Sequence, residues 1–266
     1  MCPSDRFSDL AVSGTNFGEA AADYGTFRAG FPDSLFDRLS EFGVGSSGQR
    51  VVDLGTGTGT LARSFAIRGC DVLGIDPDER MLSQARELDT QSRISVSYMQ
   101  ATAENTGLED SSTDVVTAGQ CWHWFDRPKA TQEVLRILNR SGKLVIAHFD
   151  WLPLAGNMVE ATERLIEEHN PKWNFGGGRG IHPEWLPGLS EAGLQDLETF
   201  SYDIDVPYTP EAWRGRIRAS AGVAALSPEG VQSFDSSLAE VLSNRYPSEV
   251  LEVPHRVFAI VATPPS

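Results

Sequence analysis

Positive charge is scarce in this 266-residue chain: 22 Lys and Arg stand against 37 Asp and Glu, a net charge of −15. Nucleic-acid binding draws much of its affinity from cations that neutralise phosphates, so DNA and RNA are excluded as expected partners. Arg214, Arg216 and Arg218 form a basic cluster, but on a helix these three spread around the surface as a solvated face. Cysteine is nearly absent as well. Cys2, Cys70 and Cys121 are odd in number and follow no ligand spacing, which excludes a disulfide framework and points to a reducing compartment, the cytoplasm. No apolar run approaches the ~18 residues of a membrane span, and no charged start with an apolar core marks a leader, so no membrane partner is expected. A helical His-x-x-x-His pair and a cysteine cluster are missing, so no metal is expected. Missing too are a Gly-x-Ser-x-Gly elbow and the Gly-Lys-Ser/Thr ending of a phosphate-binding loop.

Glycine, by contrast, is concentrated where it can do chemistry. In Val51-Val52-Asp53-Leu54-Gly55-Thr56-Gly57-Thr58-Gly59, the apolar residues read as a buried strand. The alternate glycines then permit a tight turn with exposed N–H groups before a helix starting near Thr60. Asp53 is left unpaired at the strand's mouth. A second strand, Val72-Leu73-Gly74-Ile75, ends in Asp76, placed to hydrogen-bond the two hydroxyls of a ribose.

Two ligands suit this arrangement. Read from Gly57, the run Gly57-x-Gly59-x-x-Ala62 passes as a dinucleotide fingerprint with an acid about 20 residues on. Read from Asp53, it is Asp-x-Gly-x-Gly-x-Gly, and a carboxylate beside the glycines repels a diphosphate while attracting an ammonium. S-adenosylmethionine lacks phosphate and carries such an ammonium on its methionine part.

At these residues the chain resembles the class I S-adenosylmethionine-dependent methyltransferases, specifically the type 11 small-molecule group. Asp53, Gly55, Thr56, Gly57 and Gly59 resemble that family's first motif. Asp76, Pro77 and Met81 resemble its ribose and adenine segment, and Thr102, Ala103 and Glu104 its adenine-edge loop, although the family often has an acid where Thr102 stands. Asp114-Val115-Val116 and Gly142 to Ile146 resemble its fourth and fifth strands. Upstream, Phe17, Ala21, Tyr24 and Arg28 before Gly30-Phe31-Pro32 resemble the amino-terminal cap, and the resemblance implies that Tyr24 and Arg28 reach the cofactor's methionine end. It likewise implies that Gln120 faces the cofactor.

Strands alternating with helices predict an α/β, doubly wound parallel sheet with ligands beyond the carboxyl ends of its strands. Strands are expected at Ile94–Tyr98, Asp114–Ala118, Lys143–Ala147 and Val257–Val261, and helices at 33–42, after Asp78, after Pro128 and near 157–169. Thr209-Pro210 and Ser227-Pro228 each offer a cap residue before a first-turn proline. The resemblance implies a Rossmann-like seven-stranded sheet, mostly parallel with an antiparallel last strand, plus a helical cap. The expected organisation is a loose tail at 1–16, a cofactor-binding core with amino-terminal cap helices at 17–150, a cap insertion at 151–182, and the rest of the sheet at 183–266 with a helical lid at about 208–247.

Gln120-Cys121-Trp122-His123-Trp124-Phe125 follows the fourth strand at the same mouth as the glycine turn, where aromatic density can shape a pocket for an apolar or cationic group. His123 is the candidate base or substrate binder, with His148, His169 and His182 as further pocket candidates. Phe175-Gly176-Gly177-Gly178-Arg179-Gly180 reads as a flexible loop that closes over substrate. The functional expectation is methyl transfer from S-adenosylmethionine to a small molecule. A NAD(P)-dependent oxidoreductase and a non-catalytic cofactor-binding protein are the alternatives.

Overall fold

The computed structural model describes residues 30–265. Its centre is a seven-stranded sheet ordered β3-β2-β1-β4-β5-β7-β6. The strands are β1 (Arg50–Leu54), β2 (Asp71–Asp76), β3 (Ser97–Gln100), β4 (Thr113–Gly119), β5 (Leu138–Trp151), β6 (Gln195–Tyr208) and β7 (Leu251–Thr263). β1 to β5 pair in parallel, and β7 runs antiparallel between β5 and β6. The winding reverses between β1 and β4, where Asp53 lies beside Gly74 on one side and Thr117 on the other. That crevice is where an open α/β sheet takes its ligands.

Both faces of the sheet are covered, which is why its central strands read as continuous apolar runs. On one face, α1 (Asp33–Glu41) and α2 (Thr60–Ile67) pack Leu35, Phe36, Leu39, Leu61 and Phe65 against Val51, Val115 and Val145. On the other, α4 (Arg127–Ile137) lays Ala130, Val134 and Ile137 on Val52, Val116 and Ile146. Between α2 and α4 in sequence comes α3 (Glu79–Ser92), capped by Asp78, whose carboxylate accepts the Arg80 N–H as expected.

A third cluster lies beyond the sheet. It joins α5 (Met158–His169) to α7 (Pro210–Arg218), α8 (Ala221–Ala224) and α9 (Pro228–Arg245) around Ile166, Trp213, Phe234 and Leu238. The short α6 (Leu186–Glu191) packs Leu189 into the core beneath α4 instead. The two insertions expected at 151–182 and 208–247 therefore share one apolar cluster. Trp151, Val206, Tyr208, Leu251 and Val253, at the outer ends of β5, β6 and β7, form its floor.

Those outer ends correct the expected strands. β5 is 14 residues long and β7 is 13, against the five predicted for each. Pro207 and Pro254 interrupt the outer pattern, and proline in an apolar run argues against a strand. Here Pro207 sits on an edge strand, and Pro254, though interior, still offers its carbonyl to the Leu152 N–H at 2.8 Å. The predicted third strand begins at Ser97 rather than Ile94. The helix expected after Pro128 ends at Ile137, with Leu138 already paired to Thr113. No described helix is long and apolar enough to cross a membrane.

Candidate functional site

The turn after β1 is held in the left-handed region at Gly55 (φ 62°) and Gly57 (φ 56°), a conformation that disfavours side chains. A Cβ on Gly55 would also meet Cys121 Sγ at 2.9 Å. The turn's amides differ from expectation. Thr56 N–H donates to Ile75 O, Gly59 N–H to Thr56 O and Gly57 N–H to Asp76 Oδ2, each at 2.9 Å. These amides satisfy the protein itself rather than standing free for a diphosphate.

Asp53 is not the unpaired acid predicted. It is 1% exposed, Oδ2 accepting the Thr56 hydroxyl and Oδ1 the Thr117 hydroxyl, both at 2.7 Å. Thr117 was invisible to a local reading because it arrives from the adjacent strand. Burial pushes the Asp53 carboxyl up to about 6, against the opposing pull of the two hydroxyls, and the nearby Asp76 adds to the rise. The Ala62 N–H also bonds to the carboxylate, which leaves one of its four lone pairs beyond these three donors, and the residue lines a cavity of about 280 Å³. Asp76 lines the same cavity and accepts the Asp78 and Gly57 N–H groups at 2.9 Å. Burial raises its carboxyl too, and the two amides offset part of the rise.

Thr56, Gly55, Gly57, Pro77, Met81 and Gln120 complete the predicted part of this lining. Gly59 starts α2 as its cap residue. Gln120 stands at φ 63°, costly for a residue with a side chain at about 1–3 kcal/mol. It is held there by its N–H on Ala147 O at 2.9 Å and its amide on Phe149 O. Thr102 is exposed, Ala103 is buried and Glu104 accepts the Asp126 N–H at 2.9 Å; none of the three lines either cavity. Phe17, Ala21, Tyr24 and Arg28, like the tail at 1–16, lie outside the described residues.

A second cavity of about 360 Å³ adjoins the first, sharing Gln120, Trp124 and Phe149. His123, His148 and His182 line it, and Phe175 and Gly178 bring the predicted glycine loop to its wall. Gly177 N–H donates to Glu163 Oε2 at 2.8 Å, tying that loop to α5. Glu163, which also accepts Trp151 Nε1–H at 2.7 Å, has its carboxyl raised by burial. His169 is elsewhere, its ring edge-on to Phe234 in the cap.

Two features of this cavity escaped the sequence reading. Arg216 is not on a solvated face. With Arg214 and Arg218 turned to Asp235 and with Trp213 and Ile217 buried, the remaining direction on α7 faces the cavity, and its guanidinium lies over the Trp151 ring at 4.8 Å. Asp150 Oδ2 stands 3.3 Å from His148 Nδ1 and 3.2 Å from His182 Nε2. Burial alone would raise the Asp150 carboxyl, but the two imidazoles outweigh it and hold it well below the usual carboxylate range.

Residues 52–146 match the family model for a methyltransferase domain. An uncharacterized methyltransferase of Mycobacterium bovis is 36% identical over 136 residues, 51% of each chain. A ubiquinone biosynthesis O-methyltransferase of Pseudomonas savastanoi pv. phaseolicola is 29% identical over 183 residues, 68% of this chain and 77% of its own. The phosphoethanolamine N-methyltransferase 2 of Haemonchus contortus, solved with S-adenosyl-L-methionine, matches at a TM-score of 0.58 and 21% identity, over 98% of this chain and 60% of its own. At that identity the likeness is one of fold. The chain spans about half the length of the first curated relatives it matches.

Proposed function

We infer that this chain, whose residues 52–146 match a methyltransferase domain, transfers the methyl group of S-adenosylmethionine to a small-molecule acceptor by in-line displacement. The observation that carries the reading is the pair of buried acids, Asp53 and Asp76, lining one cavity that opens past Gln120 and Trp124 into a second. The lining fits the cofactor. Asp53 offers its remaining lone pair and its charge to an ammonium, Asp76 lone pairs to ribose hydroxyls, and Met81 an apolar face to adenine. The amides of Thr56, Gly57 and Gly59 in the glycine turn are satisfied internally, which suits a ligand without phosphate and disfavours a dinucleotide.

When bound, the cofactor supplies an activated methyl on a sulfonium. The protein's part is alignment and exclusion of water. Gln120 and Trp124 sit where the cavities meet, so they position the acceptor against the cofactor. Holding reacting atoms about 3–3.5 Å apart contributes on the order of 7–11 kcal/mol. Phe175 and its glycine loop close the acceptor cavity, strengthening electrostatics inside it. His123, on the acceptor side, takes the proton where the acceptor is a hydroxyl. The small-molecule reading is supported by the modest volumes of both cavities, about 280 and 360 Å³, and by the acidic composition. A cytoplasmic location is supported by the buried thiols Cys70 and Cys121.

Calorimetry with S-adenosylhomocysteine, NAD and NADP tests the cofactor, and binding of the first alone is expected. Incubation with methyl-labelled cofactor and a small-metabolite extract tests turnover. A labelled product identifies the acceptor by mass, whereas cofactor binding without any label would instead favour a non-catalytic module.

A further inference from the structure

His148 and Asp150 are two apart on β5, so their side chains share one face of the strand. His182 comes from the end of the glycine loop, directly ahead of the 3₁₀ turn Pro183–Trp185. The chain thus brings two imidazoles and one carboxylate, 32 residues apart at the His182–Asp150 contact, to one point on the wall of the acceptor cavity. Their ligand atoms all lie within 4.8 Å of one another. We propose that His148, Asp150 and His182 form a binding site for a divalent transition-metal ion of the zinc type, with its open coordination facing the acceptor cavity.

Three observations support the site independently. First, the separations of Asp150 Oδ2 from His148 Nδ1 (3.3 Å) and His182 Nε2 (3.2 Å) lie at the long end of the hydrogen-bond range, as does the Glu184 contact of His182. The Asp150 separations also match the ligand-to-ligand edge of about 3.4 Å for a tetrahedral ion with bonds of ~2.0–2.1 Å. Second, His182 is held as metal-bound imidazoles are held. Its other nitrogen, Nδ1, is 3.4 Å from Glu184 Oε1, and its ring stacks on Trp185 at 4.3 Å and 4°. A carboxylate on the far nitrogen fixes the tautomer and orientation of a ligating ring. Third, three protein ligands at the wall of a 360 Å³ cavity leave coordination positions open to it, the arrangement of a catalytic rather than a structural site. Two nitrogens and an oxygen suit zinc, iron(II) or cobalt(II), and suit magnesium poorly because it demands mainly oxygen. Spacing hid the site, since the ligands meet through a strand and a loop rather than along one helix.

The site's use rests on the proposed function: an ion there would hold an oxygen-donor acceptor, a phenol, enol or carboxylate, beside the shared wall at Gln120 and Trp124. The binding itself does not rest on that reading. Full-length protein stripped with a chelator is titrated calorimetrically with Zn²⁺, and with Co²⁺ while its visible absorption is followed. One equivalent per chain is expected, with affinity more than about 100-fold weaker in Asp150→Ala and His182→Ala and ~10-fold weaker in Glu184→Gln. S-adenosylhomocysteine affinity is expected to be unchanged in all three. If neither alanine variant folds, Glu184→Gln decides, a tenfold drop supporting the site and none overturning it. Absence of Zn²⁺ binding, or binding indifferent to these substitutions, makes the three residues a proton-sharing group and overturns the proposal. Zinc binding that follows the substitutions, in a chain that ignores S-adenosylhomocysteine, leaves the metal site standing and removes the methyl-transfer reading.

Discussion

Asp53 pays in stability for its position, and the sign of that cost can be measured. Its carboxyl is raised from 3.8 to about 6, so between those values the folded chain holds a proton that the unfolded chain releases. Folding is therefore favoured in acid, and this contribution is lost as pH rises through about 6. At ~1.4 kcal/mol for each tenfold change in proton affinity, the ionised acid costs on the order of 3 kcal/mol at neutral pH. Asp53→Asn keeps the shape and removes the charge. Its thermal midpoint is expected to lie above the parent's at pH 7.5, with the gap closing by pH 4. Its affinity for S-adenosylhomocysteine is expected to fall by about 10- to 100-fold, as befits a lost hydrogen bond to a charged group. Calorimetry and thermal melts on the same variant check both; a variant that loses stability at pH 7.5 while binding normally contradicts the assignment. At this scale the sequence shows what is local: Asp53, Asp76 and the glycines stand in one short stretch or one strand-end apart. It hides what tertiary pairing supplies, such as Thr117 on Asp53, Asp150 between two histidines, and Arg216, whose direction depends on which neighbours Asp235 engages.

Among elements, helix starts were the most legible feature because capping is a local bond. Asp78, Asn157, Thr209 and Ser227 each accept an N–H two or three residues on. The outer halves of β5, β6 and β7 were the least legible, since strand pairing overrides the prolines and the alternation there serves a cap rather than the sheet's centre. The cap is a cluster of its own on these extensions, which separates its energetics from the cofactor cavity. Phe234 on α9 is fully buried among Trp213, Leu238 and Ile166. Phe234→Ala is expected to cost about 3–5 kcal/mol. Because α7 and α8 carry Arg216 and Ala221 to the acceptor cavity, KM for the acceptor identified by labelling should rise several-fold. S-adenosylhomocysteine affinity should stay within about twofold of the parent's. Equal losses at both sites would mean that cap and core respond as one body.

Across the whole molecule, charge sets a long-range field that contacts do not cancel. Ion pairs such as Arg80–Asp78, Arg86–Glu79 and Arg164–Glu160 are exposed and contribute about 0–1 kcal/mol each. The formal excess of 15 negative charges remains, and its self-repulsion opposes the compact state. Salt acts on both terms with opposite sign: screening weakens the exposed pairs and relieves the repulsion. The excess decides the outcome, because small local pairs lose little while repulsion among many carboxylates falls as the screening length shortens from ~10 Å at 0.1 M toward ~3 Å at 1 M. The thermal midpoint should therefore rise by a few degrees between 0.05 and 0.5 M sodium chloride. Cofactor binding should respond differently, since Asp53, the proposed partner of the ligand's ammonium, is 1% exposed and so out of reach of dissolved ions. S-adenosylhomocysteine affinity should thus change by less than about threefold over the same range. Thermal melts and calorimetry across a salt series measure both. A midpoint that falls would place the balance with the surface pairs, and an affinity that collapses with salt would mean that the ligand is drawn by the general acidic surface rather than by the buried acid.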